Sequence, residues 1–266
     1  MRVEALSLIH DLSDPAGKLN ILREYVQAQV LRSLHESEAF RSLSFVGGTA
    51  LRFVYGLPRF SEDLGLSLDD NVEEYQPECW LKKMKRDLSL AGFDVSLSWN
   101  NRTTVHKAWV KIPGILKQAG LASMENQNLS IKLEIDTHPP KGAVSERKII
   151  TKYTMFSLKH YNLPSLMAGK LHALLTRKYH KGRDWYDLMW YRTQVPPIDP
   201  NLVQLQNALN QTQGRGTLEA ALWKQIIIEV LHQLDCSVLR ADVQAFLERP
   251  RESDLLTHEN IASVLL

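Results

Sequence analysis

LSFVGGTALRFVYGLPRFSEDLGLSLDD, residues 43–70, reads as strand, glycine turn, short helix and second strand, and this order decides the fold. Residues 43–46 are a short apolar run that turns at Gly47-Gly48-Thr49. Ala50, Leu51, Phe53 and Val54 then recur at helical spacing until Gly56-Leu57-Pro58, which stops the helix. From Ser61 to Leu68 the pattern alternates as in a strand. Side chains two apart on a strand share a face, so Ser61, Asp63 and position 65 are expected to point together, back toward the glycine turn. Two glycines and a hydroxyl ahead of a helix leave backbone N–H groups at the positive end of the helix dipole, which suits a phosphate. A carboxylate beside such a cradle invites Mg²⁺, which binds through one or two carboxylates plus substrate phosphates.

Bulk properties bound the rest. The 266 residues suffice for one large domain or two modest ones. With 44% hydrophobic and 23% charged residues, the composition is that of an ordinary soluble globular protein. No run approaches the roughly 18 apolar residues of a membrane span, and residues 1–30 carry too many charges for a signal peptide. A cytoplasmic protein with no membrane partner is expected. Cys79 and Cys236 lie far apart without metal-ligand spacing, which points to two buried thiols rather than a disulfide or a zinc site. The net charge of +2 conceals an asymmetry. Residues 61–78 hold seven acidic residues and no Lys or Arg, whereas residues 141–192 hold eleven basic residues against three acidic ones. That combination suits a metal-bound nucleotide and a polyanionic acceptor, although two solvated faces would give the same pattern.

Residues 18–38 form an amphipathic helix with Leu19, Ile21, Leu22, Tyr25, Val26, Val30 and Leu31 near one face, and residues 73–91 form another. Strands are expected at 93–99, 105–112 and 129–136, with a further one at 147–153. One helix between strands, followed by a meander, argues for an α+β fold with a mixed sheet. In IKLEIDTHPP, Lys132, Glu134 and Asp136 share the polar face while Ile131, Leu133 and Ile135 face the core. From Leu163 the texture becomes helical. LPSLMAGKLHALLTRKYHKGRDWYDLMWY starts a helix at Pro164, places Lys170 among Leu166, Met167, Leu171 and Leu174, and enters the next helix at Lys181-Gly182-Arg183-Asp184. Asp184 there could cap the helix or pair with Lys181 or Arg183. Residues 196–266 read as three or four amphipathic helices parted by Pro200, Gly214-Arg215-Gly216 and Pro250. The expected organisation is a sheet domain over residues 1–155 and a helical C-terminal domain over 156–266 carrying Lys170 and Asp184.

The glycine turn, the strand with Asp63 and the Lys170–Asp187 segment together resemble the polymerase-β-type nucleotidyltransferases. Among these the chain is most similar to the AbiEii/AbiGii toxin family, whose bacterial members include the MenT-type toxins. There the glycine turn precedes a strand bearing two metal-binding aspartates, Asp-x-Asp; here the stretch reads Asp63-Leu64-Gly65. Three explanations of Gly65 stand side by side: a degenerate enzyme, another carboxylate in substitution, or an inactivating change, since one base converts an Asp codon to a Gly codon. The resemblance implies transfer of a nucleoside monophosphate from an NTP, with Mg²⁺ or Mn²⁺, to an acceptor. The implied acceptor is the 3′ end of tRNA, or another RNA, so that translation is blocked. Gly47, Gly48 and Thr49 would cradle the triphosphate, with Ser61 and Arg59 as further nucleotide-binding candidates. Asp63 would hold the metal together with Glu134, matched to the family's carboxylate from a neighbouring strand, with Asp136 in reserve. Lys170 would offset phosphate charge, and Asp184, with Asp187 one turn on as its alternative, would match the family's acidic motif at the start of the next helix and help bind metal or activate the acceptor hydroxyl. A cognate antitoxin encoded nearby is implied, but not a direct complex with it. Two alternatives remain: a nucleotide- or RNA-binding relative without catalysis, and a small-molecule nucleotidyltransferase of the aminoglycoside type.

Overall fold

Asp14-Pro15 starts the first long helix: the Asp14 carboxylate accepts from the Ala16 and Gly17 N–H groups, and proline takes the first turn, where its missing donor is harmless. The computed structural model describes residues 1–69 and 71–266; Asp70, counted in the acidic run above, lies outside the described residues. This helix, Pro15–Glu36, begins three residues before the apolar periodicity suggested. It buries Leu22, Tyr25, Val26, Val30 and Leu31, and with them the polar Glu24 and Gln27. The chain divides into two compact units.

The first unit comprises residues 1–55, 60–138 and 146–160. It is built on a mixed seven-stranded sheet ordered β3-β4-β5-β2-β1-β7-β6. The strands are β1 (Leu43–Val46), β2 (Leu64–Leu68), β3 (Ser96–Asn100), β4 (Val105–Pro113), β5 (Asn128–Asp136), β6 (Ser145–Ile150) and β7 (Phe156–Tyr161). β1 runs antiparallel to β2 and parallel to β7, while β2 runs parallel to β5 and β5 antiparallel to β4. The fold class is therefore α+β, as the strand-helix-strand-meander pattern implied. The last strand, β7, lies beyond residue 155, so the sheet outruns the expected domain limit. Its FSLKHY stretch is short and carries Lys and two aromatics, a weak alternation against the helical texture that follows.

Two sequence expectations need correction. β2 begins at Leu64 rather than Ser61. The Ser61 and Glu62 carbonyls instead accept from the buried Gln27 amide at 3.0 and 2.8 Å, so a side chain on the long helix takes the place of a strand partner. Cys79 is exposed, not buried. Its helix, Pro77–Leu90, turns Trp80, Leu81, Met84 and Leu88 inward, and residue 79 falls off that face.

The second unit comprises residues 56–59, 139–145 and 161–266 and is helical. Asn162 caps the Leu163–Thr176 helix by accepting from the Ser165 N–H. Gly182–Arg192 follows, then helices Leu202–Gln213, Trp223–Leu231, Cys236–Gln244 and His258–Leu265. Among the described residues no helix is long and apolar enough to cross a membrane.

Candidate functional site

In the first unit, β1 turns into the Gly47–Tyr55 helix through Gly47 at φ +80°, a left-handed conformation that disfavours any side chain. The helix is anchored by a buried charge cluster. Glu24 accepts from Arg52 at 2.6 Å, Lys152 at 2.9 Å and the Tyr153 hydroxyl at 2.9 Å. Burial alone would raise the Glu24 pKa; the two cations outweigh it and hold the carboxylate below its usual range. The helix that follows the turn is therefore held through Arg52.

Thr49 is buried, and its hydroxyl donates to the backbone carbonyl of Asp63. Of the expected cradle residues, Thr49 does not offer its side chain to a ligand but ties the turn to Asp63. Asp63 itself is exposed, just ahead of β2. Gly65 is in register with Val46 on one side and Glu134 on the other. A Cβ at position 65 would lie 3.0 Å from the Val46 carbonyl oxygen and 3.3 Å from its Cγ2, so any side chain there requires β1 to give by a few tenths of an ångström. Glu134 is thus the carboxylate brought directly beside Gly65. Asp136 lies opposite Ser67, two residues further along, and accepts from the His138 N–H at 3.0 Å in a turn that ends the strand. Lys132, on the same strand face, places its ammonium 2.5 Å from Glu134.

This donor set does not fit a pair of metal ions. Position 65 offers no ligand, Glu134 is ion-paired with a lysine, and no group of three or more His, Cys, Asp or Glu is placed to hold a metal among the described residues.

In the second unit, Lys170 sits between two carboxylates, 2.8 Å from Asp184 and 2.7 Å from Asp187. Arg177 pairs with Asp184, and Arg59 donates from Nε and Nη2 to the two oxygens of Asp187, each at 2.6 Å. Arg59 is 1% exposed. Its guanidinium is enclosed with Asp187, which removes it from the nucleotide-binding candidates; RFSEDLG gives no local hint of a partner 128 residues away. Asp184 does not cap its helix, where Lys181 is the N-cap residue with no side-chain bond, and Arg183 lies over the Phe246 ring at 4.2 Å. Burial pushes the Asp184 pKa up, but Lys170, Arg177 and Arg59 outweigh it and leave the carboxyl below its usual range. A carboxyl depressed in the folded state stabilises fully above the unfolded Asp value of about 3.9 and loses that contribution as pH falls through its lower folded value. The melting temperature should therefore fall more steeply below pH 4 for the natural chain than for Asp184→Asn. Equal slopes would remove Asp184 as the source.

A sequence model of the family described as "Nucleotidyl transferase AbiEii toxin, Type IV TA system" matches residues 29–258. The chain belongs to the AbiEii family. AbiEii membership makes it a nucleotidyltransferase-family toxin of a type IV toxin–antitoxin system, a setting that includes an antitoxin. Among solved structures, JHP933 from Helicobacter pylori is similar in fold, with a TM-score of 0.56 and 18% identity over 96% of this chain and 92% of that one. A second H. pylori chain, provisionally described as a nucleotidyltransferase, has a TM-score of 0.53 and 18% identity over 92% of each chain. No curated protein matches.

Proposed function

We propose that this AbiEii-family chain transfers a nucleoside monophosphate from an NTP, supplied as its magnesium complex, to the 3′ end of an RNA acceptor, with tRNA the favoured class. The carrying observation is the bond from the Thr49 hydroxyl to the Asp63 backbone carbonyl, which ties the residue that bears the carboxylate to the glycine turn. The turn's N–H groups hold the phosphates, and Asp63 faces the reacting end. The acceptor hydroxyl attacks the α-phosphorus in line, with pyrophosphate leaving; position and charge supply most of the catalysis. Lys170 is assigned as a counter-charge for phosphate and Asp184 as the group that holds Lys170. An RNA acceptor is favoured by the open face of β3, β4 and β5, where the exposed Lys107, Trp109 and Lys111 line one side of β4. Lysines around an exposed indole suit phosphates and a stacked base. The antitoxin acts without an assumed direct complex.

The test is label transfer from each α-labelled NTP to total tRNA by the natural chain, Asp63→Asn and Gly65→Asp. Transfer by the natural chain, reduced at least about tenfold in Asp63→Asn, is the expected result, in the range for removal of one positioned catalytic group. Activity confined to Gly65→Asp would mean that the chain itself is inactive. Silence in all three would sink the RNA-acceptor assignment in favour of a binding module or a small-molecule acceptor.

A further inference from the structure

Gly65 leaves a gap in the expected ligand set, and the neighbouring strands show what adjoins it. Glu134 is its register partner on β5, and Lys132, one side-chain repeat away on the same face, reaches that carboxylate at 2.5 Å. The lysine is positioned from the other side as well. Trp109 of β4 is its cross-strand partner, and the ammonium stands 5.5 Å from the centroid of that ring. Its side chain is 20% exposed and that of Glu134 34%, so the pair is only partly screened by water. The Glu134 carboxylate that a divalent ion would need is thus already opposed by a cation that cannot dissociate from the chain.

We propose that Lys132 is the resident cation of this site: its ammonium takes the charge-neutralising place beside Glu134 that a second divalent ion would require, and it is available to the phosphate oxygens of a nucleoside triphosphate. The inference rests on the nucleotidyltransferase assignment for its ligand, but its central claim concerns metal affinity and needs no turnover. A point-charge ammonium with three donors suits this role. Loss of the side chain at 65 and presence of the lysine at 132 then act as a pair.

The test is Mn²⁺ binding, counted by electron paramagnetic resonance of the free ion, on the full chain without nucleotide. Lys132→Met keeps an apolar stem against Trp109 and removes one positive charge beside the Glu134 carboxylate. Its Mn²⁺ affinity should rise at least about tenfold over the natural chain, a modest share of the Coulomb energy of such a contact at intermediate dielectric. Lys132→Gln, a second neutral variant in case the first does not fold, should show the same gain, and adding Glu134→Gln should abolish it. Unchanged Mn²⁺ affinity in a folded neutral variant, or two Mn²⁺ ions held tightly by the natural chain, would overturn the proposal. Failure of label transfer with the Mn²⁺ gain intact would count against the nucleotidyl-transfer assignment alone.

Discussion

Arg59→Ala should lower the unfolding free energy by about 3–5 kcal/mol, the range seen when one partner of a buried ion pair is removed. Arg59 is 1% exposed and Asp187 fully buried, and two parallel N–H···O bonds of 2.6 Å join them. Truncation would leave the Asp187 carboxylate buried beside the Lys170 ammonium at 2.7 Å, and a cavity where the guanidinium lay. Lys170 would then carry more of the charge of Asp187 and less of that of Asp184. Arg59→Lys should recover little of the loss, because a single ammonium cannot reproduce the planar fork. Chemical denaturation of the two variants decides the matter. A loss under about 1 kcal/mol for Arg59→Ala, the scale of an exposed pair, would show that the pair is not a main support of the helical unit.

Gly182→Ala should cost about 3 kcal/mol, the upper end for overpacking a close contact. A Cβ on Gly182 would lie 1.9 Å from the Leu239 carbonyl oxygen and 2.8 Å from its carbon. These are backbone atoms of the Cys236–Gln244 helix, so no side-chain rotation relieves the overlap and the helix must move. Gly169→Ala is the matched control: it lies inside the Leu163–Thr176 helix with nothing within 4 Å of the added carbon. There alanine should stabilise by up to about 1 kcal/mol through helix propensity. Equal thermal shifts for the two substitutions would mean that the Gly182 contact is absent in solution.

Much of the frame was legible because it is written in local patterns. The Gly47-Gly48 turn, the alternation of β4 and β5, and the Pro164 helix start each lie within a few residues of the structure they produce. The stripe Asn20, Glu24 and Gln27 carries a further signal: polar residues at helical spacing on an apolar face predict buried partners, and Glu24 and Gln27 hold the glycine-turn helix and the Ser61-Glu62 segment. β2 starts late because Gln27 takes the Ser61 and Glu62 carbonyls, and alternation alone cannot tell a ladder-bonded residue from one whose carbonyl is taken by a side chain.

By itself the sequence determined the α+β class, the order of turn, strand and lysine helix, the absence of a carboxylate at position 65, and the family to which these belong. Only the tertiary structure decided the pairings: Glu134 beside Gly65, Lys132 on Glu134, Asp63 held through Thr49, and Arg59 enclosed with Asp187 rather than open to a nucleotide. The reason is physical. Turns and helix starts arise from backbone preferences of adjacent residues, whereas strand register and buried ion pairs are set by packing between segments up to 128 residues apart, which no local spacing records.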